Sequence, residues 1–479
     1  MWNYGYSFGF GLIFPPGVFP SNLIQMISSM IKKTIVFYFF LLPLTGIAQQ
    51  GDWQNLFNGK DLSGWKQLNG KAKYEVKNGM IVGSTVSGEP NSFLATEKDY
   101  SDFVLELEFL VDSSMNSGIQ FRSHSTADYQ NGRVHGYQME IDPSKRAWSG
   151  GIYDEGGRLW LYTLEYNEAA KTAFQNGKWN KYRIECIGSS IRTWVNDIPA
   201  ASMIDDLVPS GFIALQVHSI GKDIPAGKQI MWRNIRIKTQ HLKAAPQAGI
   251  LQVNLIPNQL SDQERKNGVR LLWDGKTSGG WRSANKTSFP DSIWKIHDGI
   301  LSVQSSGGDE ARNGGDIVTN EEFGAFELQF EFRLTEGANS GVKYFVTEKE
   351  QTNGSAIGLE YQLLDNVKHP DAKLGTDGNR TLASLYDLIP AYKTNQSYPK
   401  ITDWNRGMIR VYPDNHVEHF LNGFKVVEYQ RGGQMYKALV ARSKYAQWPD
   451  FGVAPNGHIL LQEHGSNVDF RSLKLRELK

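Results

Sequence analysis

Apolar and polar positions alternate along this chain in short runs. Phe103, Leu105, Leu107 and Phe109 are spaced two apart, as are Phe326, Leu328, Phe330 and Phe332. That is the period of a strand buried on one face. The run Leu359-Glu360-Tyr361-Gln362-Leu363-Leu364-Asp365 sets Leu359, Tyr361 and Leu363 on one face and Glu360 and Gln362 on the other. Asn78-Gly79 and Asp298-Gly299 each sit between two such runs, the strongest short hairpin signal. Residues 262–266 predict one helical turn, and no other segment reads as helix. Many short strands punctuated by Gly, Asn and Asp predict an all-β sandwich or barrel.

The pattern is written twice. Leu56-Phe57-Asn58-Gly59-Lys60, ending in Gly64-Trp65, is echoed by Leu272-Trp273-Asp274-Gly275-Lys276, ending in Gly280-Trp281. Asn116-Ser117-Gly118-Ile119-Gln120-Phe121-Arg122 is echoed by Asn339-Ser340-Gly341-Val342-Lys343-Tyr344-Phe345. Trp179-Asn180 returns as Trp404-Asn405, and Leu215-Gln216-Val217-His218 as Leu461-Gln462-Glu463-His464. The order is the same in both copies. This divides the chain into a first domain at 49–240, a linker at 241–264 containing Pro246 and Gly249, and a second domain at 265–479.

Composition narrows the picture. The net charge of +1 gives no electrostatic case for nucleic acid or an anionic membrane. The single cysteine, Cys186, rules out an internal disulfide framework and reads as a small buried apolar residue. Trp and Tyr, 13 and 20 in number, suit sheet cores and also the stacking of sugar rings.

Residues 1–48 read as a targeting segment. Lys32 and Lys33 precede an apolar run at 35–42, followed by Pro43 and the small-residue triplet Gly46-Ile47-Ala48. The run is too short to span a membrane, and the residues before Met30 read as an over-long start. No cysteine follows the run, so no lipid anchor is expected once the segment is cleaved. A periplasmic or secreted protein is expected.

Several motifs together carry a resemblance. They are Leu-Phe-Asn-Gly-Lys-x-Leu-x-Gly-Trp at 56–65, the two Asn-Ser-Gly runs, Gly-x-Glu-x-Gln at 358–362 and the closing Leu-Gln-x-His. Across residues 51–479 the chain resembles the 3-keto-disaccharide hydrolase domain family, formerly a domain of unknown function, in two tandem copies. The resemblance implies two concanavalin A-like jelly-roll β-sandwiches, with ligand on the concave face. It also implies activity on glycosides whose sugar carries a ketone at C3, downstream of a separate sugar oxidoreductase.

A C3 ketone acidifies the C2 proton. A base removes that proton, the glycosidic oxygen leaves C1, and water can add back. Such a site needs a base, a donor for the enolate oxygen and an acid for the leaving group. A divalent metal can replace the donor. In the second copy Glu360 is the candidate base, with Lys343 and His464 as further catalytic candidates. Gln362, Arg380, Tyr386 and Asp387 are candidate substrate contacts. The alternatives are plain: Glu360 as a paired strand carboxylate, His464 as a turn residue beside Gly465, Asp387 as a turn cap.

The first copy exchanges the two polar residues. Gln138 stands where Glu360 does and Glu140 where Gln362 does, with Arg122, His135 and Trp148 nearby as further sugar contacts. Peptidase, serine hydrolase and nucleotide-binding motifs are absent from the sequence. The acidic segment 365–377, with Asp371, does not fit an EF-hand loop and reads as a solvated loop. A conventional glycosidase would need two carboxylates about 5–10 Å apart. Glu360 with Asp365, or Glu140 with Asp142, are the pairs on offer. A non-catalytic glycan-binding protein is the other alternative, because fold alone does not decide function.

Overall fold

The structure is a computed structural model describing residues 52–305, 315–352, 355–393, 398–448 and 450–479. Residues 1–48, expected to be a targeting segment, lie outside the described residues. Within 52–479 the chain builds two antiparallel β-sandwiches of the same plan.

The larger sheet of the first sandwich runs Ile198–Ile204, Ser190–Val195, Asn180–Ile187, Phe103–Val111, Gln229–Lys238, Met80–Ser84, Lys73–Lys77. The second sandwich repeats this as Phe424–Gln430, His416–Leu421, Asn405–Val411, Phe326–Leu334, Val468–Glu477, Ile300–Val303, Trp294–His297. The repeat seen in the sequence is thus a repeat of topology. Both Asn/Asp-Gly hairpins turn as expected: Asn78 and Gly79 have φ of 51° and 73°, Asp298 and Gly299 50° and 73°. Paired positive φ values match the twist of the flanking strands.

The smaller sheets carry the polar strands. In the first sandwich the order is Leu159–Tyr162, Ile152–Glu155, His135–Ile141, Ser117–His124, Gly211–Val217, Ser92–Tyr100, Trp65–Asn69. In the second it is Leu359–Leu364, Asn339–Val346, His458–Leu461, Ile317–Thr319, Trp281–Ser283. Alternation sorts the side chains as the sequence predicts: Tyr137, Met139 and Ile141, like Leu359, Tyr361 and Leu363, enter the core between the sheets. Gln138 and Glu140, like Glu360 and Gln362, face the other way, into the cavities described below.

The copies differ beside these strands. Where the first continues into Ile152–Glu155 and Leu159–Tyr162, the second inserts a long excursion whose Leu385 bridges to Tyr361. The second also inserts the helix Gln434–Arg442 and the 3₁₀ turn Lys444–Gln447. That helix departs from the helix-poor expectation. Tyr436 is buried and Leu439 and Val440 pack against the core beside it, the i, i+3, i+4 spacing of an apolar face about one turn long. The short helix Asp262–Lys266 forms with a capping box between Ser261 and Glu264.

Segment 241–264 packs on both sandwiches. Val253–Asn254 pairs in parallel with Met203 and Ile204 of the first. Glu264 meets Lys474 of the second at 2.9 Å, with both side chains buried. Elsewhere Arg406 donates to the Leu161 and Trp160 carbonyls at 2.8 and 2.9 Å, and Thr163 Oγ1 donates to the Gly423 carbonyl. One continuous apolar cluster runs through both sandwiches.

Candidate active site

In the second sandwich, register sets the site. Lys343 lies opposite Glu360, and Gly341 opposite Gln362. Glu360 bends across its neighbour strand, and the space it enters exists because residue 341 has no side chain. A Cβ there would stand 2.4 Å from Glu360 Oε1. The glycine of the Asn-Ser-Gly run is therefore a seat for the carboxylate. Gly118 does the same for Gln138, whose Cδ would lie 2.4 Å from an added Cβ.

Glu360, Gln362, Lys343, His464 and Tyr386 line one cavity of about 390 Å³. Lys343 Nζ donates to Ser355 Oγ at 2.9 Å and to the Ala356 carbonyl at 3.2 Å. These use two of the three ammonium donors. Gln362 Nε2 donates to Asn339 Oδ1 at 3.3 Å, while its own Oε1 is buried without a protein partner. Asn339 Nδ2 lies 3.4 Å from His464 Nε2.

The insertions supply the roof, which the sequence reading largely missed. Asp371, His369, Lys444, Tyr445 and Trp448 complete the lining. Asp371, read in the sequence as part of a solvated loop, accepts from Tyr386 OH at 2.8 Å and from Arg380 Nη1 at 2.9 Å. Arg380 Nε also donates to Asp387 Oδ1 at 2.7 Å, and Asp387 accepts from the Lys444 backbone N–H at 3.2 Å. Arg380 and Asp387 are thus placed behind the cavity wall, where they hold Asp371 and join the two insertions. Arg380, Tyr386 and Asp387 stand out as a polar cluster in the sequence, but no pattern there ties Asp371 to them. Only folding shows that they meet.

Electrostatics set the proton states. Burial, then the nearby Glu360 and Asp371 carboxylates, pushes the Tyr386 phenol up. Burial and Glu360 likewise push Tyr445 up. Two neutral phenols therefore stand near Glu360. Burial, with His464 alongside, holds His369 below its ordinary value. The Asp371 backbone N–H donates to His369 Nδ1 at 3.2 Å, which places the ring proton of the neutral form on Nε2.

In the first sandwich Gln138 and Glu140 line a separate cavity of about 380 Å³. Glu140 accepts from Asn116 Nδ2 at 2.6 Å and Gln138 Nε2 at 2.9 Å, and burial pushes its pKa up to about 7. The other three candidates of this copy lie elsewhere. Arg122 sits at a bulge with φ of 43°, which turns its buried guanidinium toward the Ser101 and Gly188 carbonyls. His135 stacks on Tyr129 at 3.8 Å, outside the cavity lining. Trp148 is buried at the junction of the sandwiches, 4.8 Å from Trp160 and 5.1 Å from Phe424.

Glu360, His369, Asp371 and His464 are chemically able to bind a divalent metal. Among the described residues, however, only His416, Glu418 and Glu428 bring three ligand atoms within 4.8 Å of one another, and they lie outside this cavity. Lys425 occupies that cluster, 3.2 Å from Glu418 and 2.7 Å from Glu428. The cavity donors as placed do not fit a single ion. Among the described residues no helix is long and apolar enough to cross a membrane.

A Bacteroides thetaiotaomicron protein named 3-keto-disaccharide hydrolase is 38% identical over 233 residues, covering 44% of this chain and 79% of the relative. Two Parabacteroides distasonis crystal structures carry provisional glycosyl hydrolase descriptions. The first is 27% identical, with a TM-score of 0.40, over 47% of this chain and 100% of its own. The second is 23% identical, with a TM-score of 0.30, over 41% and 99%. Residues 52–238 and 268–476 each match the 3-keto-alpha-glucoside-1,2-lyase-like domain, so the chain belongs to that family and carries two copies of its domain.

Proposed function

We propose that this protein is a carbohydrate-active hydrolase whose second sandwich cleaves glycosides bearing a C3 ketone. Family membership and the named relative support a carbohydrate-active hydrolase. The observation that carries the finer reading is convergence. Glu360, Lys343, Gln362 and His464 meet in one cavity, and Tyr386 and Tyr445 close it.

Glu360 removes the C2 proton. The electron pair moves into a C2–C3 enolate, whose oxygen takes a hydrogen bond from the remaining Lys343 donor. The C1–oxygen bond then breaks, and the leaving oxygen takes a proton from His464 or a phenol of the roof. Water adding across the new double bond completes net hydrolysis. Asp371, held by Arg380 and Tyr386, accepts from sugar hydroxyls.

Aglycone release from a 3-keto-glucoside, followed with and without divalent metal, tests the reading. Glu360→Gln should lose at least about 10²-fold in kcat, the scale of a positioned base. Absence of release by the native protein under either condition overturns the proposal. A reaction that oxidises the C3 hydroxyl must supply the substrate. We also propose export, on the basis of residues 1–48; finding the protein in the cytoplasmic fraction would refute it.

A further inference from the structure

We propose that the first sandwich is a second, independent carbohydrate site, built as an open trough for a neutral oligosaccharide chain. The cavity containing Gln138 and Glu140 adjoins another of about 450 Å³. The two share Asn91, Arg133, Glu155 and His218 in their walls, so they lie side by side on one face of the sandwich. Trp160 belongs to the first cavity alone and Asn131 to the second. The helical insertion that helps roof the second cavity has no counterpart here. The chain passes directly from Ile204 to Gly211.

The sharpest observation is Gln216. Its residue is fully buried, its side chain lines the trough, and neither Oε1 nor Nε2 has a partner in the protein. Buried polar groups are nearly always satisfied, so an orphaned amide facing a cavity points to a ligand. A primary amide offers a donor and an acceptor side by side, which matches two adjacent oxygens on a sugar ring.

Charge decides the class of ligand. Arg133 is paired with Glu155 at 3.0 Å. Arg146 is paired with Asp142 at 2.7 Å and lies 3.6 Å from Glu140. Arg133 and Arg146 are thus balanced by Glu155 and Glu140 within the same walls, which leaves no net positive charge to attract an acidic sugar. Two adjoining cavities suit a chain over a single ring. Half-buried Tyr153 supplies an aromatic ring against which a sugar can pack.

The test uses the full chain carrying Glu360→Gln, so that turnover in the second sandwich does not consume the probe. Titration calorimetry with cello-, malto-, xylo- and manno-oligosaccharides of about two to six units should find one series whose affinity rises with length. Adding Gln216→Leu should weaken that binding at least tenfold. The same change should raise Tm without sugar, because an unpaired buried amide is removed. A folded Glu360→Gln protein that binds none of the series refutes the proposal, as does a preference for oligouronides. So does binding unchanged by Gln216→Leu. None of these outcomes bears on aglycone release by the native protein, so the two proposals fail separately.

Discussion

Gly341→Ala probes the seat of the proposed base. The new Cβ would stand 2.4 Å from Glu360 Oε1 and 2.9 Å from its Cδ and Cγ. Ordinary contact begins at 3.4 Å, so the carboxylate oxygen must retreat by 3.4 − 2.4 = 1.0 Å. A displacement of about 1 Å at a catalytic group costs on the order of 10²-fold in rate. That corresponds to about 2.7 kcal/mol of transition-state stabilisation. Stability should hardly change. The atoms that move belong to the mobile end of a side chain, and Gly341 is not among the positive-φ residues. Alanine also restricts the unfolded chain, which contributes about 0.4–1 kcal/mol in favour of folding. The assay is kcat/KM on a 3-keto-glucoside, alongside thermal melting. Gly118→Ala is the matched control, since it displaces Gln138 in the first sandwich by the same geometry. Full activity in a folded Gly341→Ala protein would refute the reasoning, and a loss in Gly118→Ala instead would place the chemistry in the other copy.

Trp148→Ala should destabilise the protein by about 3–5 kcal/mol, the range for deleting a buried aromatic. Urea denaturation measures this; a loss of sugar affinity at unchanged stability would restore Trp148 as a sugar contact. Two buried groups should shape stability against pH in opposite senses. Burial lowers His419 from 6.5 to about 4, so stability is lost as pH falls through that window, while the unfolded chain alone takes the proton. Burial raises Glu140 from 4.5 to about 7, so stability is lost as pH rises across that window. The windows overlap between 4.5 and 6.5, where the two slopes oppose each other. Denaturation across that range should show stability falling more steeply with rising pH in His419→Gln and rising with pH in Glu140→Gln, and unchanged slopes would refute both assignments.

The roof of the second cavity shows why part of the site was hidden. Tyr386, Arg380 and Asp387 drew attention as a polar cluster, but their roles depend on Asp371, which no sequence pattern ties to them. Hydrogen bonds across the insertion turn Arg380 and Asp387 into supports and bring Asp371 to the cavity. Lys444, Tyr445 and Trp448 follow a helix whose apolar face, Tyr436, Leu439 and Val440, is too short to stand out against the strand pattern around it. In the first copy Arg122 belongs to an alternating run, and parity would place it with Gln120. A bulge shifts parity at that point, and bulges leave little trace in hydrophobic pattern.

The chain's own pattern determined what depends on local periodicity and on repetition. Alternation assigns Glu360 and Gln362 to one face and Leu359, Tyr361 and Leu363 to the other, since strand geometry permits nothing else. The repeated order of motifs determined that the two halves share one plan. Tertiary structure alone decided which polar residues meet. Trp148 became part of the junction between sandwiches because Phe424 of the other copy stands against it. Gln216 became a buried amide facing an open trough, while its counterpart strand in the second copy was roofed over. Those outcomes depend on contacts between residues far apart in the chain, and such contacts leave no periodic mark in sequence.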